Sequence, residues 1–378
     1  MGHETTDRRG FVKAVAGAAA VSALARPVRG QASAPPSPLA EPRIRFGVIG
    51  LNHGHVYGQV RAVQKGGGEL VAFHAREDDL AAAFLKAFPQ ARRVADEREI
   101  LEDPKLALVV SASIPDERAP LGVRVMRHGK DFMVDKPGAT SLEQLAEVRR
   151  VQRETGRIYS ILYGERLENR AVGRALDLAR AGAIGRVVQV VGFGPHRVNP
   201  RSRPEWFWDK RRFGGILCDI ASHQADNFLS FTGSTRAQVV ASQVGNLNHP
   251  GRPGFEDFGD VMWRGDRGTG YARVDWFTAD GLGTWGDGRL TVLGTDGHME
   301  VRSNVDIGGR GVGNHLFLVD GQGTRYVDTA DQPLPYGERL VDDVLNRTQT
   351  AMSQEHCFLA TELVLTAQAK AQVLKLEG

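Results

Sequence analysis

Cysteine is nearly absent: the chain has two, Cys218 and Cys357, in 378 residues. Two thiols so far apart supply neither a disulfide framework nor the paired spacing of a structural zinc site, and both are expected as small buried side chains. An excess of one charge sign is also missing. Lysine and arginine number 48 against 45 aspartates and glutamates, and the first 32 residues hold five of the basic and two of the acidic groups, so the remainder carries 43 of each. That balance leaves no basic footprint for nucleic acid. No apolar run is long enough to span a bilayer as a helix, and no internal repeat is evident. What remains is a chain long enough for two domains and a sizeable core.

Residues 1–34 read as an export signal. Arg8 and Arg9, followed by Phe11 and Lys13, precede an Ala/Val/Gly run from Ala14 to Ala25 and small-residue cleavage candidates at Ala32 and Ala34. This basic, apolar, small-residue order looks like a twin-arginine signal, which carries folded proteins. The route suits a protein whose cofactor is loaded inside the cell, and the expected destination is periplasmic or otherwise exported. Four prolines between Ser33 and Pro42 make residues 35–42 a linker.

Residues 43–165 show strands alternating with helices, the pattern of a parallel sheet covered on both faces. Ile44, Phe46 and Val48 alternate with Arg45 and Gly47 and stop at Gly50; Val56, Val60 and Val63 then share one helical stripe. Strand, tight turn and helix N-terminus make a phosphate cradle at Gly50, Asn52, His53, Gly54 and His55. A G-x-G-x-x-G fingerprint counted from Gly50 wants glycine at 52 and 55, where Asn52 and His55 stand. Asn52 tolerates a left-handed turn, but neither residue offers glycine's close approach to phosphate. The second strand, Leu70 to Phe73, leads to His74-Ala75-Arg76-Glu77. The usual ribose-binding acid is missing and Arg76 is present, which favours the 2′-phosphate of NADP over NAD.

Further helices are expected near Asp79 to Phe88 and Ala119 to His128, with strands at Leu106 to Ser111 and Phe132 to Asp135. Lys136 follows at the C-terminal end of a strand, the edge where open α/β sheets bind ligands. The stretch Ile216 to Thr232 reads as one helix stopped by Gly233, with Asp219, His223 and Asp226 at i, i+4 and i+7 on one face. Such a cluster among Leu217, Ile220, Phe228 and Leu229 is expensive to bury without a task. No third ligand set accompanies it, so no metal site is assigned. The irregular stretch His196 to Arg212 carries Arg197, Arg201, Arg203, Trp206 and Trp208. Its aromatic faces and forked donors suit a sugar or an acidic small molecule; equally, the tryptophans could be anchors that pack the loop down. From Ala237 the period becomes two, and six strands from Val239 to Val319 predict a large, mostly antiparallel sheet. Helices at Gly337 to Arg347 and Glu355 to Leu376 close the chain.

Gly47-Val48-Ile49-Gly50, Asp135-Lys136-Pro137 and Gly214-Gly215 through Asp219, His223 and Asp226 stand in the order of the Gfo/Idh/MocA oxidoreductase motifs, and the sequence resembles that family from about Arg43 onward. It departs in having Asp135 where glutamate is usual and Ala221 where glycine is usual. The resemblance implies an α/β and α+β architecture, an N-terminal Rossmann domain at 43–165 and a C-terminal substrate and oligomerisation domain at 166–378 with an open sheet. It implies that Lys136, Asp219 and His223 are catalytic, with His223 taking a hydroxyl proton, Lys136 polarising the reacting oxygen and Asp219 orienting His223 or a neighbouring hydroxyl. Lys136 is also expected to border the cofactor; Arg166, Asp226 and, on the sugar-binding reading of their loop, Trp206 and Trp208 are expected at the substrate. The implied activity is NAD(P)-dependent oxidation or reduction of a sugar, polyol or related carbohydrate by a homo-oligomer. A glycosidase working by transient oxidation, and a non-catalytic carbohydrate- or cofactor-binding protein, are the alternatives.

Overall fold

The computed structural model describes residues 41–375; the expected export signal and nearly all of the linker lie outside them. Residues from Pro42 onward form one compact unit. Its first layer is built from β1 (Ile44–Ile49), α1 (Val56–Lys65), β2 (Gly68–His74), α2 (Asp78–Ala87), β3 (Arg92–Arg93), α3 (Arg98–Leu101), β4 (Leu108–Ser111), α4 (Pro115–Arg127), β5 (Asp131–Asp135), α5 (Leu142–Thr155) and β6 (Tyr159–Leu162). The strands lie in the order β3-β2-β1-β4-β5-β6, all parallel. Strand order reverses between β1 and β4, and the crevice beyond their C-terminal ends is where such sheets bind ligands. One face packs Phe46, Val48 and Phe73 against Val56, Val60 and Val63 of α1. The other packs Ile49, Val109 and Phe132 against Val125 and Met126 of α4 and Val148 of α5. Each fully buried side chain of this kind contributes about 1.5–3 kcal/mol.

The second layer follows: α6 (Gly164–Leu167), α7 (Arg170–Arg180), β7 (Val187–Pro195), α8 (Lys210–Phe213), α9 (Ile216–Asp219), α10 (Ala221–Thr232), β8 (Ala237–Gly245), β9 (Phe258–Gly265), β10 (Thr269–Asp275), β11 (Gly288–Gly294), β12 (Gly297–Ser303), β13 (Val305–Asp306), β14 (Gly311–Val312), β15 (His315–Asp320), β16 (Gly323–Val327), α11 (Tyr336–Asn346), α12 (Gln354–Lys370) and β17 (Gln372–Val373). Nine strands form one sheet, ordered β16-β15-β12-β11-β7-β10-β9-β8-β17. It is antiparallel except where β10 runs beside β7 and β17 beside β8. Helix α10 presses on β7 and β10 because the strands yield space: a Cβ on Gly192 would stand 2.6 Å from Gln224, and one on Gly270 2.8 Å from Phe228.

Three differences from the sequence reading bear on the site. The helix expected from Ile216 to Thr232 is two, α9 and α10, joined at Ile220. Helix α11 returns to the first domain, where Tyr336, Leu340 and Val341 join the core around Val60, so a boundary at 165/166 does not divide the packing. Helix α12 ends at Lys370, and Gln372–Val373 pairs with β8. Helix α5 and strand β16 have no counterpart in the sequence reading; α5 is capped by Ser141, which accepts from the Gln144 N–H, and by left-handed Gly156, while β16 is an exposed edge without a burial rhythm. Both cysteines are buried, as expected.

Candidate active site

The cradle forms where β1 gives way to α1. Gly50 has φ +84° and a Cβ there would stand 2.6 Å from Ser113, so the turn requires glycine. Gly54 faces open space, and α1 has no acidic residue in its first turn, which leaves its positive dipole end free for an anion. Beside it lies a cavity of about 190 Å³ lined by Gly50, Asn52, Arg76, Glu77, Ser113 and Leu121, among others. Asn52 donates to Glu77 (2.8 Å) and Arg76 to Glu117 (3.3 Å), the Arg76 side chain remaining 70% exposed. These features fit the adenosine and phosphate parts of a dinucleotide. At position 55, however, an imidazole stands where the fingerprint wants a hydrogen atom.

Asp135 ends β5 with its side chain fully buried. Its oxygens accept from the Lys136 N–H (2.8 Å) and the Arg118 guanidinium (3.0 Å), and stand 3.0 Å from His53 Nδ1 and 2.9 Å from His55 Nδ1. Burial pushes the carboxyl up, but His55 and Arg118 outweigh it and hold it well below the usual range. One residue on, the Lys136 Nζ donates to Asp219 Oδ1 at 2.8 Å. Burial raises the Asp219 carboxyl and Lys136 more than reverses this. The bond joins the end of β5 to α9, and so ties the parallel sheet to the helix pair that floors the site. Asp219 is therefore partnered to lysine, where the resemblance had it orienting His223 or a neighbouring hydroxyl.

His223, in the first turn of α10, is buried and its Nδ1 has no partner among the described residues. Burial, then the charges of Lys136 and His55, keep it neutral, well below the ordinary imidazole range. A neutral, uncommitted imidazole within reach of an ammonium's field can accept a proton. Asp226 goes elsewhere. Its two oxygens accept from Arg166 (2.6 and 2.8 Å), and Oδ1 also meets His356 Nε2 at 2.8 Å. Arg166 and Asp226, expected at the substrate, are spent on each other. Arg166 and His356 line a separate cavity of about 660 Å³ whose wall contains none of Lys136, Asp219 and His223.

Trp208 is a core residue, 4.9 Å from the ring of Phe255 and capped by Arg252, and Trp206 leans on Phe207. Of the two readings of this loop, the packed anchor describes Trp208, while Trp206 is half-buried. The ring close to the reactive groups is instead that of His196, which Lys136 and Asp219 both influence and which Trp285 and Trp276 flank. The His196 ring lies 4.5 Å from Trp285 and 5.3 Å from Trp276, and burial, then Lys136, lower its pKa to about 3. Glu165 was missed as well. It accepts from Gln224 at 2.8 Å, and burial raises its pKa to about 7 despite the nearby Lys136. Nothing in its local sequence marks it; only the meeting of α6 with α10 gives it these neighbours.

Comparison with known proteins agrees with this fold. Residues 44–163 match the model described as "Oxidoreductase family, NAD-binding Rossmann fold", and residues 172–300 match the GFO/IDH/MocA C-terminal domain. A solved structure from Erwinia carotovora atroseptica SCRI1043 is 44% identical, with a TM-score of 0.86 over 88% of this chain and 100% of that one. The 1,5-anhydro-D-fructose reductase of Ensifer adhaerens is 28% identical over 56% of this chain and 63% of its own length. The scyllo-inositol 2-dehydrogenase (NAD(+)) of Bacillus subtilis is 25% identical over 68% of this chain and 74% of its own. With a parallel dinucleotide-type sheet, a lysine at its ligand-binding edge and both halves matched in order, the chain belongs to the Gfo/Idh/MocA family of oxidoreductases.

Proposed function

We propose that this protein is an exported, NADP-dependent oxidoreductase acting at a hydroxyl or carbonyl carbon of a sugar, polyol or related carbohydrate. The observation that carries the reading is the buried meeting of Lys136, Asp219 and neutral His223 at the C-terminal edge of the parallel sheet. A bound nicotinamide supplies hydride acceptance or donation. His223 takes the proton of the reacting hydroxyl in oxidation and returns it in reduction. Lys136 hydrogen-bonds the reacting oxygen and stabilises negative charge as it develops there, while Asp219, through its bond to Nζ, fixes where that ammonium points. Trp285 and His196 offer flat faces to the carbohydrate ring.

Gly50, Gly54 and the α1 N-terminus would hold the pyrophosphate, and Arg76 the 2′-phosphate. Arg76 is exposed and held by one acid, whereas Glu77, the group suited to a free ribose hydroxyl, is engaged by Asn52. The twin-arginine order of residues 8–13 supports export with the cofactor already loaded. Met262, Leu293 and Tyr326, exposed on the sheet, support an interface between copies of the chain. Denaturing the purified exported protein and weighing the released nucleotide by mass spectrometry tests the core of the proposal. Stoichiometric NADP(H) is expected; NAD(H) overturns the cofactor preference, and no nucleotide with no binding of added NAD(P) overturns the enzyme reading. Retention of an Arg8→Lys, Arg9→Lys variant in the cytoplasm tests the route.

A second reading has a specific observation behind it. Glu165, half-protonated near pH 7, gives the site an acid beside its base, as elimination of a glycosidic leaving group after transient oxidation needs. Aglycone release without accumulation of reduced cofactor, abolished in Glu165→Gln, would favour it.

A further inference from the structure

We propose that His53, His55 and Asp135 form a binding site for one divalent transition-metal ion of the zinc class. His53 and His55 lie in the turn after β1, and Asp135 ends β5, two strands away at the same C-terminal edge of the sheet. The fold therefore brings to this pair of histidines a carboxylate that stands 80 residues beyond His55 in the sequence. One donor atom of each stands within 4.8 Å of the others. Ligands at roughly 2.1 Å from a tetrahedral ion stand about 3.4 Å apart, so small rotations of two imidazoles close the set. The rings already meet edge to face, with centroids 4.1 Å apart.

The geometry at His53 points to an absent partner. Its Nδ1 is 3.0 Å from Asp135 Oδ2, yet this buried atom makes no hydrogen bond, so proximity is present without the alignment an N–H···O contact needs. A metal ion between the imidazole and the carboxylate satisfies both at once. Arg118 and the Lys136 N–H hold the carboxylate from its other side, the arrangement in which outer partners orient a metal ligand. Two imidazoles and one carboxylate select a transition metal over calcium or magnesium, which prefer oxygen. The Arg118 and Lys136 charges oppose the ion, while Glu168, whose carboxyl burial raises, lies within electrostatic reach of His55 and Asp135. Three protein donors leave a position open to water or to an oxygen of a bound molecule. The site also accounts for the position where the glycine fingerprint fails: His55 brings a ligand where glycine would bring close approach.

The inference goes beyond the redox reading and is tested without turnover. Untagged full-length protein is stripped with a chelator and titrated with Co²⁺ alone, following its visible d–d absorption, with Zn²⁺ as competitor. Saturation at one equivalent, displaced by Zn²⁺ and lost in His53→Ala and His55→Ala variants whose circular dichroism matches the parent, is the expected result. Weak unsaturable uptake by the parent overturns the site, as does one-equivalent binding that survives the double variant. Should the alanine variants misfold, His55→Gln keeps the volume of a half-exposed side chain, and undiminished Co²⁺ binding there overturns the proposal equally. Nucleotide binding measured separately, with and without metal, keeps this outcome distinct from that of the cofactor reading.

Discussion

His223 and Asp226 stand one turn apart on the same buried helix, and the clusters around them are built on opposite principles. Asp226 is saturated: a forked arginine and a histidine take both its oxygens, and although burial raises the carboxyl, Arg166 and His356 bring its pKa down to about 2. His223 is left open, its Nδ1 unpartnered among the described residues and its proton affinity suppressed. A satisfied buried polar group stabilises a fold, whereas an unsatisfied one costs free energy and persists where it has chemistry to perform. By that criterion the first cluster is built for stability, and the second is the candidate for the chemistry proposed above.

Four measurements would break or sharpen the contrast. His223→Ala is expected to lower turnover by about 10²- to 10⁴-fold, the span for losing a general acid or base, while nucleotide still binds; an unchanged kcat removes His223 from the mechanism. Asp226→Asn should cost about 3–5 kcal/mol in denaturant unfolding, since it strands a buried guanidinium, with kcat altered little where the variant is folded. A large loss of kcat at unchanged stability would return Asp226 to the substrate.

The pH dependence of stability separates the two sides further. His196 titrates at about 3 in the folded chain against about 6.5 unfolded, so its contribution is full above pH 6.5 and is lost as pH falls. Between pH 6.5 and 5 this amounts to about 2 kcal/mol, and His196→Gln should flatten that part of the curve. Asp226, with a depressed pKa, contributes above about pH 4 and loses its contribution as pH falls toward 2, so Asp226→Asn flattens only the acid end. Identical curves for both variants would erase the distinction. The smallest effect concerns Arg76→Ala, expected to weaken NADP about tenfold and NAD hardly at all, as fits one exposed charge-assisted contact; equal weakening of both nucleotides would move the 2′-phosphate away from it.

The alternation of Ile44, Phe46 and Val48, the stripe of Val56, Val60 and Val63, and the change of period after Ala237 are local patterns, and they carried the architecture into the sequence. Lys136 and His223 were legible for a related reason, one ending a strand and the other on an apolar helix beside a carboxylate. Helical spacing put Asp219, His223 and Asp226 on one face, but it says nothing about what approaches from the next element. Only the packing of α9 beneath the end of β5 gave Asp219 to Lys136, and only α6 and α12 closing on α10 gave Asp226 to Arg166 and His356. Trp208 shows the same limit: composition marks an aromatic loop, and burial against Phe255 decides that this ring serves as an anchor. His196, Glu165 and the pairing of His53 and His55 with Asp135 have no local signature at all. The sequence by itself determined the two-layer fold and the strand end where chemistry sits, because periodicity and turn chemistry act over a few residues. Which polar groups are tied and which left open depends on contacts between residues tens to more than a hundred positions apart, and the tertiary structure alone decided it.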